Sequence, residues 1–101
     1  MYVVTVTFEA YAAHIDPFRD AVLAQARTSL DREPECRRFD VCLAADHPGR
    51  VFLYELYDTP AAFQAHLKSD HFKSFNATVT PWVRNKHVDT WNLSDPASVR
   101  K

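Results

Sequence analysis

The sequence predicts an α+β domain in which four short strands and two helical segments follow the order β-α-β-β-α-β. Three observations carry this reading. Apolar residues alternate with period two over 2–9, 38–43 and 50–57. Between Ile15 and Leu30 they recur at three- and four-residue steps, the spacing of one helix face. Pro17 and Pro60 each follow a residue suited to N-capping, the arrangement that opens a helix. At 101 residues with 47% hydrophobic and 13% aromatic content, the chain is long enough for one small core. A single domain is expected over 1–101, with 94–101 as a C-terminal tail.

The first strand sets Tyr2, Val4, Val6 and Phe8 against Val3, Thr5, Thr7 and Glu9, the second set being the more polar. Asp16 and Pro17 are expected as N-cap and first helical residue. Ile15, Phe18, Val22, Ala26 and Leu30 then form the buried stripe, and Pro34 stops the helix. The strand over 38–43 places Phe39, Val41 and Leu43 opposite Arg38, Asp40 and Cys42. Asp46, His47, Pro48 and Gly49 supply turn chemistry, so a hairpin follows.

The stretch 50–72, RVFLYELYDTPAAFQAHLKSDHF, is the most informative in the chain. Val51, Leu53, Glu55 and Tyr57 alternate with Phe52, Tyr54 and Leu56, so both strand faces are mostly apolar and one carries a carboxylate. Thr59 and Pro60 open the second helix, where Phe63, His66 and Leu67 share one side and turn His66 inward. Ser69 or Asp70 caps a further helical piece with Phe72, Phe75, Val79 and Trp82 inside. Pro81 ends or kinks it, and the last strand is expected over 87–92.

Right-handed crossovers put both helical segments on one face of a ferredoxin-like antiparallel sheet and leave the other face bare. Tyr2, Val3, Phe52, Leu53, Tyr54, Leu56, Val88 and Trp91 put large apolar groups on both sides of the strands. A second copy packed face to face through a twofold axis is therefore expected, a homodimer.

Charge and composition exclude several classes. With 12 basic and 13 acidic residues and a net charge of -1, there is no electrostatic footprint for nucleic acid or an anionic membrane. No apolar run reaches spanning length, and strand-like residues from Tyr2 leave no room for a leader. Cys36 and Cys42 lack metal-ligand spacing and read as free thiols of a reducing compartment, hence a cytoplasmic protein. His66 and His71, five apart, would stand about 140° apart on an unbroken helix and do not form an i, i+4 metal pair. His14, His47 and His87 fall at element ends or turns and are expected to face solvent.

The segments REPECRRFDV, RVFLYELY and AFQAHLKSDHF together resemble the antibiotic biosynthesis monooxygenase superfamily of dimeric α/β barrels over nearly the whole chain. Within it the chain is most similar to the quinol monooxygenases and to the isomerase of a phosphorylated autoinducer. The resemblance implies that Tyr54, Glu55, His66, His71 and Phe72 line or support a pocket between sheet and helices. Two departures qualify it. Glu35 stands where relatives have Gly after the first helix, so a left-handed backbone there would be costly and the loop is expected to be built differently. Haem-degrading members have Trp and an axial His at the positions of His66 and Asn76. Asn76 is a poor haem ligand, so no haem and no other cofactor is expected.

The resemblance implies monooxygenation of a small phenolic or quinol substrate by dioxygen without cofactor. A base deprotonates the substrate, the electron-rich anion passes an electron to dioxygen, and a dry cavity keeps the radical pair together. His66 is the candidate base, since imidazole titrates near neutrality. Glu55 would orient that imidazole or hold its own proton, and Tyr54 would hydrogen-bond the developing oxyanion. Phe39, His71 and Phe72 are the substrate-binding candidates, the two phenyl rings stacking on the substrate. Each has a structural counterpart: His66 as a packed helix histidine, Glu55 in an ion pair at a subunit interface. Two other functions fit the same residues. An isomerase of a small phosphorylated dione needs Arg38, Lys68 or Lys73 at the cavity to hold phosphate. A non-catalytic ligand-binding dimer would have a pocket too small or too closed for a ring.

Overall fold

The computed structural model describes residues 1–94. It contains β1 (Tyr2–Ala10), α1 (Ile15–Arg32), β2 (Cys36–Leu43), β3 (Arg50–Tyr57), α2 (Pro60–Lys68), α3 (Asp70–Val79) and β4 (Val83–Asn92). Single 3₁₀ turns at Ala12–His14 and Thr80–Trp82 lead into α1 and β4. The sheet order is β2-β3-β1-β4 with every neighbouring pair antiparallel, the ferredoxin-like arrangement. The expected tail over 94–101 lies, beyond Ser94, outside the described residues.

The registers Val4↔Glu55, Glu55↔Phe39 and Val6↔Val88 define a helix-facing side of the sheet. On it lie Val4, Val6 and Phe8 of β1, Val51, Leu53, Glu55 and Tyr57 of β3, and Phe39 of β2, all buried. Phe18, Val22 and Ala26 of α1 and Ala62 of α2 close the core over them. The opposite side carries Val3, Phe52, Tyr54, Leu56 and Trp91, with no element of the chain packed over it among the described residues. Val3 is nonetheless only 4% exposed, flanked by Leu56 and Trp91 on its two neighbouring strands. Tyr2, Leu53 and Val88, expected among the apolar groups needing a partner, belong to the helix side, because the pleat returns every second residue there.

Local details depart from the sequence reading in three places, each for a physical reason. Asp16 is not the N-cap: the preceding 3₁₀ turn starts α1 earlier, His14 takes the cap position, and Asp16 sits in the first turn where its charge suits the helix dipole. The buried line of α1 runs Phe18, Val22, Gln25, Ser29, and Leu30 is 45% exposed. The polar pair lies inside because Gln25 has a partner on α3, described below. The further helical piece expected after α2 is α3, and Ser69 is its cap, accepting the Phe72 N–H at 3.3 Å while its hydroxyl donates to the His66 carbonyl at 2.7 Å. β4 starts at Val83, before His87, because Arg84, Asn85 and Lys86 already pair with β1 on an edge strand, a position that tolerates charge.

Thr59 caps α2 as expected, accepting the Ala62 N–H at 3.1 Å. The loop before β2 is a turn over 33–36, closed by Cys36 N–H on the Glu33 carbonyl at 3.0 Å. No described residue has positive φ, so Glu35 adopts a turn that needs no glycine. The chain's one glycine is required elsewhere. A Cβ on Gly49 would lie 2.7 Å from the Ala10 carbonyl oxygen, where the Ala10 N–H donates to the Gly49 carbonyl at 2.8 Å. Gly49→Ala should therefore destabilise the fold by about 1–3 kcal/mol, read as a lowered midpoint in urea or thermal unfolding; an unchanged midpoint would show that the hairpin shifts freely at this contact.

Candidate active site

Four elements converge beneath β3. α2 delivers His66, only 3% exposed, into a ring of aromatics. Phe72 lies 4.9 Å away between centroids, Tyr57 5.6 Å, and Phe63 6.1 Å in a stacked orientation, with Phe39 at 6.3 Å. The helical break at Ser69 lets α3 fold Phe72 back onto the ring it follows by six positions.

The imidazole is oriented by Glu33, which stands just past the end of α1 in extended backbone with φ -110 and ψ 98. The turn over 33–36 aims this side chain at α2, and its carboxylate oxygens lie 3.1 and 2.9 Å from Nδ1 of His66. The same carboxylate lies 2.9 Å from Nε2 of His71, at ion-pair distance but off the line of a hydrogen bond. Nδ1 of His71 is 3.1 Å from Nε2 of Gln25. An amide nitrogen only donates, so His71 carries its proton on Nε2, facing Glu33. Both imidazoles thus place a protonated nitrogen within 2.9 Å of one carboxylate, but only His66 hydrogen-bonds to it. Nε2 of His66, with no hydrogen-bond partner among the described residues, keeps its lone pair on the cavity side.

The cavity is about 50 Å³ and is lined by Phe39, Glu55, Phe63, His66, Phe72 and Val88, among others. At its β4 end the Lys86 ammonium lies 5.5 Å over the Phe8 ring. Those two residues also border an outer groove of about 290 Å³ formed with Asn76, Thr80, Arg84 and Asn85. The inner space is smaller than the roughly 150 Å³ that holds a benzene in an engineered apolar cavity. A ring can therefore place only its reacting edge there unless Lys86, an exposed and flexible side chain, swings aside.

Residues 1–78 match the description of the antibiotic biosynthesis monooxygenase family. The chain belongs to that family. Among solved structures it is similar to a Nitrosomonas europaea protein carrying the family's name, at 29% identity and TM-score 0.89, over 94% of this chain and 100% of that one. A Mycobacterium tuberculosis protein shows 26% identity and TM-score 0.86 over 96% and 98%. A Deinococcus radiodurans protein at 18% identity has TM-score 0.90 over the full length of both, which establishes the shared fold. Comparison with curated proteins finds no match.

In this antibiotic biosynthesis monooxygenase domain the expected residues divide. His66, Glu55, Phe39 and Phe72 meet at one cavity. Tyr54 does not: it neighbours Glu55 on β3 and so points to the bare side of the sheet, where the Arg38 guanidinium lies 5.6 Å over its ring. His71 supports the site from behind Glu33 and does not line the cavity. Because α2 and α3 are separate helices, the 140° of an unbroken helix does not apply to His66 and His71, whose rings are 6.0 Å apart. Glu55 faces the helices, away from any partner on the bare side, and it does not orient His66; it accepts the Tyr57 hydroxyl at 2.6 Å. Sequence reasoning missed Glu33 altogether, although Glu33 and Pro34 at a helix end precede the strand that carries Phe39 to the cavity His66 lines.

Burial sets the charge states. It holds His66 below the usual histidine range, against the opposing pull of the Glu33 hydrogen bond and charge, so the imidazole is neutral at pH 7. Burial also pushes the Glu55 carboxyl up to about 7, with the Tyr57 hydrogen bond opposing it. Cys36, buried near Glu33 and Glu55, is pushed up to about 12 and is an unreactive thiol. Folded Glu55 keeps its proton up to about pH 7, whereas the unfolded group releases it near 4.5. Its stabilisation is therefore complete below 4.5 and is lost as pH rises through about 7. His66 runs the other way, its contribution being present above 6.5 and lost as pH falls. Glu55→Gln keeps an acceptor for Tyr57 and removes the titration. The variant should gain stability over the parent by roughly 3 kcal/mol between about pH 4 and about pH 8 in urea unfolding; parallel pH curves for the two proteins would mean that Glu55 ionises freely in the fold.

Proposed function

We propose that this chain is a cofactor-independent monooxygenase that oxidises a small phenolic or quinol substrate with dioxygen. The observation that carries the reading is a neutral imidazole in an aromatic-lined cavity, its Nδ1–H held by Glu33 and its Nε2 lone pair free. Nε2 of His66 would take the hydroxyl proton of the substrate. The resulting anion passes one electron to dioxygen, and the radical pair joins at a ring carbon as a peroxide. Protonation of the peroxide and loss of water leave a carbonyl at that carbon, which balances both oxygen atoms. Phe39 and Phe72 flank the reacting edge of the ring, Lys86 swinging aside to admit the rest, and Glu55, which burial lets hold its proton up to about pH 7, donates to the developing oxyanion, the role the resemblance implied for Tyr54.

The isomerase alternative loses its phosphate site: Arg38 lies on the other sheet side, and neither Lys68 nor Lys73 lines the cavity. Lys86 does reach it, at the mouth, where it suits a ring hydroxyl as well as an anion. With hydroquinone as substrate, the purified protein should consume oxygen. His66→Ala should lower the rate by about a hundredfold or more; parental oxygen uptake in that variant would remove the base from the mechanism.

We further propose that the working form is a cytoplasmic homodimer joined through the bare sheet side. Phe52 is 39% and Trp91 55% exposed there, beside Leu56 and Tyr54. Light scattering should give twice the chain mass, and Leu56→Glu combined with Trp91→Glu should give the single-chain mass; a parental protein of single-chain mass at micromolar concentration would exclude the pairing.

A further inference from the structure

The cavity holds its base away from bulk water, which raises the question of where a proton goes once Nε2 has taken it. The other side of Glu33 answers it. Its side chain is 16% exposed, against 3% for His66. It borders a surface groove of about 230 Å³ with Arg32, Pro34, Glu35, Cys36, Ala62 and Ala65. One side chain therefore both holds the buried imidazole, at 2.9 Å, and borders the groove. We infer that Glu33 is a proton port, which passes protons between His66 and water in the groove without opening the cavity.

The step balances through one imidazole. The substrate O–H bond breaks and an Nε2–H bond forms, while the Nδ1–H bond breaks and the proton moves to Glu33 and on to groove water. Histidine stays neutral overall, so no imidazolium waits beside the substrate anion to hand its proton back before dioxygen arrives. When the peroxide forms, Nε2–H donates to it, and Nδ1 recovers a proton from the groove through Glu33, restoring the first tautomer. No net proton leaves over a turnover. His71, its Nε2 packed 2.9 Å from the same carboxylate, limits how far Glu33 can move while the proton passes. Gln25 in turn fixes His71.

This role rests on His66 acting as a base, but part of its test does not. Glu33→Gln retains an oxygen that accepts from Nδ1 and cannot relay a proton, whereas Glu33→Ala loses both capacities. In nitrogen NMR of labelled histidine, without substrate, the parent and Glu33→Gln should both show His66 as the Nδ1–H tautomer, and Glu33→Ala should not. Solvent exchange of that Nδ1 proton should slow at least tenfold in Glu33→Gln. Ala65→Phe, which covers the groove and leaves Glu33 intact, should slow it likewise. In turnover with hydroquinone, Glu33→Gln should lower kcat at least tenfold with little change in KM, and Glu33→Ala should be partly rescued by formate. Unchanged exchange in both Glu33→Gln and Ala65→Phe would overturn the port. If the parent turns over no quinol, the function proposed above fails, and the exchange measurement still decides whether Glu33 conducts.

Discussion

The pleat of β3 is the constraint on which the rest depends. Because successive side chains alternate, Val51, Leu53, Glu55 and Tyr57 enter the space under the helices, and Phe52, Tyr54 and Leu56 go to the other side. One strand thereby supplies both the floor of the cavity and the apolar centre of the uncovered sheet side. A one-residue slip would exchange the two sets and bring Phe52, Tyr54 and Leu56 under the helices in place of Glu55 and Tyr57. Pairing with β1 on one edge and β2 on the other holds that register over the whole strand.

Above that floor, desolvation and hydrogen bonding are set against each other. Burial alone would make His66 a poor base, since it disfavours the charged form. The Glu33 carboxylate offsets part of this and also selects the tautomer, leaving the nitrogen that faces the cavity able to accept. Glu55 has weaker counterweights, the Tyr57 hydroxyl and then the Lys86 charge, and so retains its proton to near neutrality. Two ionisable groups at one small cavity are thus tuned apart by their partners: one accepts and the other donates.

What could be read from the sequence follows from how local the signals are. Strand alternation, the Thr59–Pro60 cap and the inward turn of His66 depend on neighbours within a few positions, and these match the structure closely. The same alternation already separated Tyr54 from Glu55; grouping them followed the family resemblance over the pleat. Glu33 was hidden because its partner lies 33 positions away across a turn, and no periodicity joins a helix end to a later helix face. Gln25 and Ser29 were unreadable for a related reason: a polar residue is placed inside a helix stripe only when a distant group satisfies it, here His71. Leu30 yielded its expected place to that polar line.

A chain with one glycine and no left-handed backbone among its described residues has loops drawn wholly from conformations open to any L-amino acid. Such loops lose less conformational entropy on closing than glycine-rich ones. They can also exchange residues without backbone penalty, Gly49 excepted. Surface segments around the cavity can therefore drift in sequence while the scaffold stays fixed, so the rim of the cavity can be reshaped without rebuilding the fold.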